Sequence, residues 1–131
     1  MTTAPLIAIV DDDASFRTAI DELISALGWP TRAFSSAETF LRSADLQSTQ
    51  CLILDVQMPH MGGFELQERL VLLGFDIPII FVTAYPDEAL RARALEAGAI
   101  DLLYKATSLN ERFVDCLHAA LNKQPGPPRV S

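Results

Sequence analysis

At 131 residues the chain has the length of one domain, enough to bury roughly two thirds of its unfolded surface, and half its residues are hydrophobic, which excludes a disordered composition. A net charge of −7 without any run of Lys or Arg excludes a basic footprint for nucleic acid or for an anionic membrane. No apolar stretch approaches the ~18 residues needed to span a bilayer, and Met1–Pro5 carries no basic leader region, so a cytoplasmic setting is expected.

The first predicted element is a short buried strand, Leu6-Ile7-Ala8-Ile9-Val10, stopped by Asp11-Asp12-Asp13. Phe16, Ile20, Leu23, Ile24 and Leu27 then recur at helical spacing, with Asp13 as N-cap and Gly28 past the end. After a turn at Trp29-Pro30, Thr31–Phe34 reads as a second strand. Ser35 and Glu38 have the spacing of a capping box for a helix reaching about Arg42, and residues 43–50 read as a polar loop.

Cys51-Leu52-Ile53-Leu54-Asp55 is an apolar run ending in one carboxylate, the pattern of a parallel strand covered on both faces. Met58-Pro59 and Gly62-Gly63 break it before a third helix with apolar positions Phe64, Leu66, Leu70 and Leu73 and a stop at Gly74. Ile77–Val82 is the fourth strand, with Pro78 near its start, and ends at Thr83. Pro86 opens a fourth helix with a weak stripe of Leu90, Ala94, Leu95 and Ala97, ended by Gly98. Ala99–Tyr104 is the fifth strand and runs into Lys105. Ser108 and Glu111 form a second capping box for a fifth helix marked by Leu109, Phe113, Leu117 and Leu121. Cys51 and Cys116 lie within apolar runs, without a partner at metal or redox-motif spacing, and read as small buried hydrophobes.

Strands and helices alternating five times imply an α/β fold with a doubly wound parallel sheet and helices on both faces. The pattern suits the strand order 2-1-3-4-5 without fixing it. In such sheets ligands bind outside the carboxyl ends of the strands, which is where Asp11, Asp12, Asp55, Thr83 and Lys105 all fall. Asp55 taken alone reads more readily as a strand-end residue capping the following helix. The set together reads as chemistry: crowded carboxylates repel, so a cluster left ionised calls for a cation, and Mg²⁺ suits one or two carboxylates plus waters and phosphate oxygens. A carboxylate can also attack phosphorus, with a lysine and a hydroxyl at the phosphoryl oxygens.

Val10-Asp11-Asp12-Asp13, the stretch Leu54-Asp55-Val56-Gln57-Met58-Pro59-His60-Met61-Gly62-Gly63, Val82-Thr83-Ala84 and the stretch from Ala97-Gly98-Ala99 to Tyr104-Lys105 resemble, in order, the receiver domain of two-component response regulators. The similarity covers about residues 5–123, so residues 1–123 are expected to form the receiver domain. Residues 124–131, rich in proline, form a tail or the start of a linker. The resemblance implies a CheY-like (βα)5 fold with the order 2-1-3-4-5. It further implies Asp55 as phosphoacceptor, Asp12 as direct Mg²⁺ ligand, Asp11 holding the ion through water, and the backbone carbonyl of Gln57 completing the site. Thr83 and Lys105 would bind phosphoryl oxygens. A sensor histidine kinase would donate the phosphoryl group, and the face of the fourth helix, fifth strand and fifth helix would switch, signalling to a partner, to an output domain or through a phosphorylation-dependent dimer. The chain would be a phosphoacceptor with self-catalysed transfer and dephosphorylation rather than an enzyme in the usual sense.

Two positions depart from the family. Ala106 stands where receivers carry a cis proline after the lysine, and a non-proline cis bond costs ~2.5–4 kcal/mol, so a trans bond is expected. Leu102 stands where the family has a switching aromatic, with Tyr104 expected on the opposite face. Tyr85 is expected to overhang the site and limit water access. Two alternatives remain: a docking module that works without phosphorylation, and a haloacid-dehalogenase-type phosphatase using Asp11, which the chain length disfavours. His60 reads as an exposed loop residue, and with His118 far along the fifth helix there is no metal-ligand pair.

Overall fold

The structure, a computed structural model, describes residues 5–107 and 110–122. The apolar runs form β1 (Leu6–Val10), β2 (Thr31–Phe34), β3 (Thr49–Asp55), β4 (Ile79–Thr83) and β5 (Asp101–Tyr104). Between and after them lie α1 (Ala14–Ala26), α2 (Ala37–Leu41), α3 (Gly63–Leu72), α4 (Glu88–Glu96) and α5 (Glu111–Asn122). All strand pairs are parallel, in the order β2-β1-β3-β4-β5, which the alternating pattern allowed and the family resemblance implied.

Side chains alternate across a strand, so each strand feeds two cores. Ala8, Val10, Leu52, Leu54, Phe81 and Leu102 pack on one face with residues of α2, α3 and α4. Ile7, Ile9, Ile53, Ile80, Val82 and Leu103 pack on the other with residues of α1 and α5. Burial on both faces is the reason β3 has no polar residue between Cys51 and Leu54.

Asp13 caps α1 as its position predicts, accepting the N–H groups of Ser15 and Phe16, and Gly28 follows the helix at φ 97°. The cap of α2 is Ser36 rather than Ser35: its hydroxyl accepts the Thr39 N–H, so the hydroxyl three residues on, not Glu38, completes the turn. Part of the predicted loop 43–50 is a 3-10 turn, Ala44–Ser48, and β3 already begins at Thr49, where pairing with Leu6 is available.

Helix periodicity overstates the apolar stripes of α3 and α4. Leu73 follows α3 and is 60% exposed, while α4 buries only Ala94, with Leu90 half-buried and Leu95 and Ala97 exposed. Asp87, accepting the Leu90 N–H, caps α4, and Pro86 precedes the cap. β4 and β5 start two residues later than their apolar runs, at Ile79 and Asp101. In α5, Phe113 and Leu117 are buried as expected; the Ser108 capping box, Leu109 and the tail lie outside the described residues. Cys51 and Cys116 are buried free thiols. No described helix is long and apolar enough to cross a membrane.

Candidate functional site

Odd positions in β1, β3 and β5 face α1 and α5, so the same alternation that buries Ile9, Ile53 and Leu103 sends Asp11, Asp55 and Lys105 to one side of the sheet's carboxyl edge. There Lys105 Nζ lies 3.0 Å from Asp11 Oδ1, 2.9 Å from Asp11 Oδ2 and 3.2 Å from Asp55 Oδ2. Asp12 is exposed beside them, and the three carboxylates of Asp11, Asp12 and Asp55 offer oxygens within 4.8 Å of one another.

The backbone fixes these positions. Asp11 N–H continues the sheet to the Phe34 carbonyl at 3.1 Å, the Asp13 N–H donates to Asp11 Oδ1 at 2.8 Å, and Arg17 Nη1 donates to the Asp11 carbonyl at 2.7 Å. Val56 N–H reaches the Val82 carbonyl at 3.0 Å, and exposed Gln57 donates its N–H to Asp55 Oδ1 at 3.3 Å. Lys105 Nζ also stands 5.1 Å from the centre of the Phe16 ring, a cation–π contact from α1.

Burial pushes the Asp55 carboxyl up to about 7, the Asp11 carboxylate adds to the rise, and Lys105 opposes it. For Lys105 burial pulls downward, but hydrogen bonding and attraction from Asp11 and Asp55 outweigh it, and the ammonium is held above its ordinary range. One ammonium therefore serves two buried acids. Asp11 Oδ2 is in ion-pair range of Lys105 yet accepts no hydrogen bond with acceptable angles, leaving a buried anionic oxygen with a site for a further cation. Hard oxygen donors alone suit Mg²⁺.

Thr83 is fully buried at the end of β4, on the opposite face with Phe81, and its hydroxyl accepts the Tyr85 N–H at 3.1 Å. Leu102 is buried on that face too. Tyr104 corrects the expectation: two residues from Leu102, it shares that residue's face, and it pairs in register with Thr83 while remaining 42% exposed. Tyr85 is 73% exposed. Lys105–Thr107 forms a 3-10 turn with the Lys105–Ala106 bond trans. His60 and His118 are exposed, the latter edge-on to Trp29 at 5.3 Å between ring centres.

Two features escape the sequence reading. Gly63 packs so closely on β3 that it admits no side chain. Asp101, a charge inside an apolar run, is buried between Arg91 and Arg112; the interrupted run is the one signal that marks it.

The sequence profile described as "Response regulator receiver domain" matches residues 7–115. The chain belongs to this family. Among curated relatives, the receiver domain is 38% identical over 132 residues to the response regulator protein TodT of Pseudomonas putida, covering 98% of this chain and 58% of TodT. It is 40% identical over 119 residues to the transcriptional regulatory protein TdiR of Thauera aromatica, covering 90% of this chain and 52% of TdiR. The chain thus spans little more than half the length of either relative. The solved response regulator StyR superposes on the receiver domain with a TM-score of 0.82 at 36% identity, covering 93% of this chain and 61% of StyR.

Proposed function

We propose that this receiver domain accepts a phosphoryl group on Asp55 from the phosphohistidine of a sensor histidine kinase. The reading is supported above all by the convergence of Asp11, Asp12, Asp55 and Lys105 at the carboxyl edge of the sheet. An Asp55 carboxylate oxygen forms the new bond to phosphorus as the P–N bond of the donor breaks, and the leaving imidazole takes up a proton. Lys105 offsets the negative charge of the phosphoryl oxygens, and Thr83, whose hydroxyl oxygen accepts the Tyr85 N–H, turns to donate its own O–H to one of them.

Asp11, Asp12 and Asp55, with the Gln57 carbonyl, would hold Mg²⁺. The buried Asp11 oxygen without a hydrogen bond supports that assignment. When bound, Mg²⁺ supplies positive charge to phosphoryl oxygens. Because TdiR is named a transcriptional regulator and is nearly twice as long as the part it shares with this chain, the downstream partner is an output domain acting on transcription.

The test is intact mass of the wild type and Asp55→Asn after incubation with Mg²⁺ and acetyl phosphate. One Mg²⁺-dependent phosphoryl adduct, lost in the variant, is expected. Absence of any adduct in the wild type overturns the reading, and continuous turnover of the donor that survives Asp55→Asn points instead to a phosphatase using Asp11.

A further inference from the structure

Hydrophobic burial holds helix α4 only lightly. Ala94 is its one fully buried side chain, and Leu90 packs half-buried against the core. Polar contacts do the rest. Arg93 lies 4.1 Å over the Phe64 ring, and Gln67 Nε2 donates to the Ala97 carbonyl at 3.0 Å. Arg91 reaches around the sheet edge, with Nη2 2.9 Å from Asp101 Oδ1 and Nη1 donating to the Leu102 carbonyl at 3.3 Å.

Asp101 has a second cation. Arg112 at the start of α5 places Nη2 2.7 Å and Nε 3.2 Å from Asp101 Oδ2. Cys116 Sγ lies 3.8 Å from the same oxygen, and the Leu102 N–H donates to Oδ1 at 2.8 Å. Breaking a buried ion pair is ordinarily costly because one charge is left uncompensated. Here that cost is removed: when Arg91 leaves, the carboxylate keeps a two-nitrogen guanidinium on one oxygen and a backbone N–H on the other. Arg91, 36% exposed, regains water.

A short path joins this contact to Thr83, at the carboxyl end of β4 beside the strand that ends in Asp55. Thr83 Oγ1 holds the Tyr85 N–H, Tyr85 leads through Pro86 to the Asp87 cap, and the Asp87 carbonyl accepts the Arg91 N–H at 3.0 Å, one turn into α4. Leu102 has no ring to carry a signal between Thr83 and this face.

We propose that Arg91, Asp101 and Arg112 form a latch with one releasable arm: Arg112 keeps Asp101 compensated while Arg91 lets go, freeing α4 when Thr83 turns to a phosphoryl group on Asp55. The trigger rests on the phosphoacceptor reading; the latch itself does not. Two discrete arrangements of α4 follow, one pinned and one released.

The two arginines then have opposite effects, which a merely structural role would not produce. Without Arg91 the latch need not be opened, so Arg91→Ala binds beryllofluoride, a phosphoryl mimic, with Mg²⁺ about three- to tenfold more tightly than the wild type. Without Arg112, release strands Asp101, so Arg112→Ala binds it more weakly by a similar factor. Amide hydrogen exchange reads the helix directly. Glu88–Glu96 exchanges about tenfold faster in ligand-free Arg91→Ala, and in wild type carrying beryllofluoride, with β1 and β3 unchanged. Affinity shifts of the same sign in both variants, or α4 exchange that is unmoved in Arg91→Ala, overturn the latch. Beryllofluoride binding that leaves wild-type α4 unmoved overturns it as well. Failure of beryllofluoride to bind any of the three proteins overturns the trigger together with the phosphoacceptor reading, and α4 exchange in Arg91→Ala still decides the pinning.

Discussion

Gly63 and Asp55 are in backbone contact: a Cβ on Gly63 would lie 2.5 Å from the Asp55 carbonyl oxygen. The same atom would meet a Phe81 ring carbon at 3.1 Å, so neither side has room to yield. α3 is thereby seated directly under the strand end that presents the Asp55 carboxylate. Gly63→Ala is expected to cost about 2–4 kcal/mol by urea denaturation and to slow adduct formation on Asp55 by displacing its backbone. A variant of wild-type stability would show that the contact is not restrictive.

His60, in the loop after β3, is the non-glycine residue with a left-handed backbone among the described residues, at φ 70°. Such a conformation costs on the order of 1 kcal/mol or more for a residue with a Cβ. His60→Gly removes that strain but adds unfolded-chain entropy, leaving an expected net gain of about 0.5 kcal/mol. The urea midpoint measures it.

Asp55 and Asp11 repel across a single shared ammonium, so neutralising one of them stabilises the metal-free protein. Asp55→Asn is expected to raise metal-free stability by about 1 kcal/mol. Mg²⁺ at ten times its dissociation constant adds about 1.4 kcal/mol to the wild type, and chelation removes it. In Asp55→Asn that increment shrinks. Equal Mg²⁺ increments in both proteins would place the ion away from Asp55.

Burial pushes the Cys51 thiol up to about 12, with a smaller upward contribution from Cys116. The folded protein therefore holds this proton through an alkaline range in which the unfolded chain, near 9, has lost it. Stability from Cys51 is fully present below pH 9 and declines between about 9 and 12, by up to ~1.4 kcal/mol per pH unit. Cys51→Ala should flatten that part of the pH profile, and native Cys51 should resist iodoacetamide at pH 8. Rapid native alkylation would contradict the buried, neutral thiol.

Tyr104 and Arg17 mark what local pattern reaches in the site and what it does not. The strand-end positions of Asp11, Asp55, Thr83 and Lys105 were legible because an apolar run that stops at a polar residue marks the carboxyl edge of a buried strand, whatever its neighbours are. Which residues share a face follows from period 2, and applying it strictly puts Tyr104 with Leu102 and beside Thr83. The Arg17 contact with the Asp11 carbonyl depends on how α1 settles against β1, which no spacing encodes.

By itself the sequence determined the alternation of strands and helices and the acids and lysine at the strand ends, because those depend on short-range periodicity and on where hydrophobic burial stops. Only the tertiary structure decided that Asp101 pairs with Arg91 of α4 and with Arg112 of α5, and that α4 fully buries only Ala94 of its apolar stripe. Only it decided that Gly63 must lack a side chain, and that one ammonium stands between Asp11 and Asp55. These are contacts between residues far apart in the chain, fixed by the angle and depth at which each helix packs on the sheet, and neither quantity is written in any local run of residues.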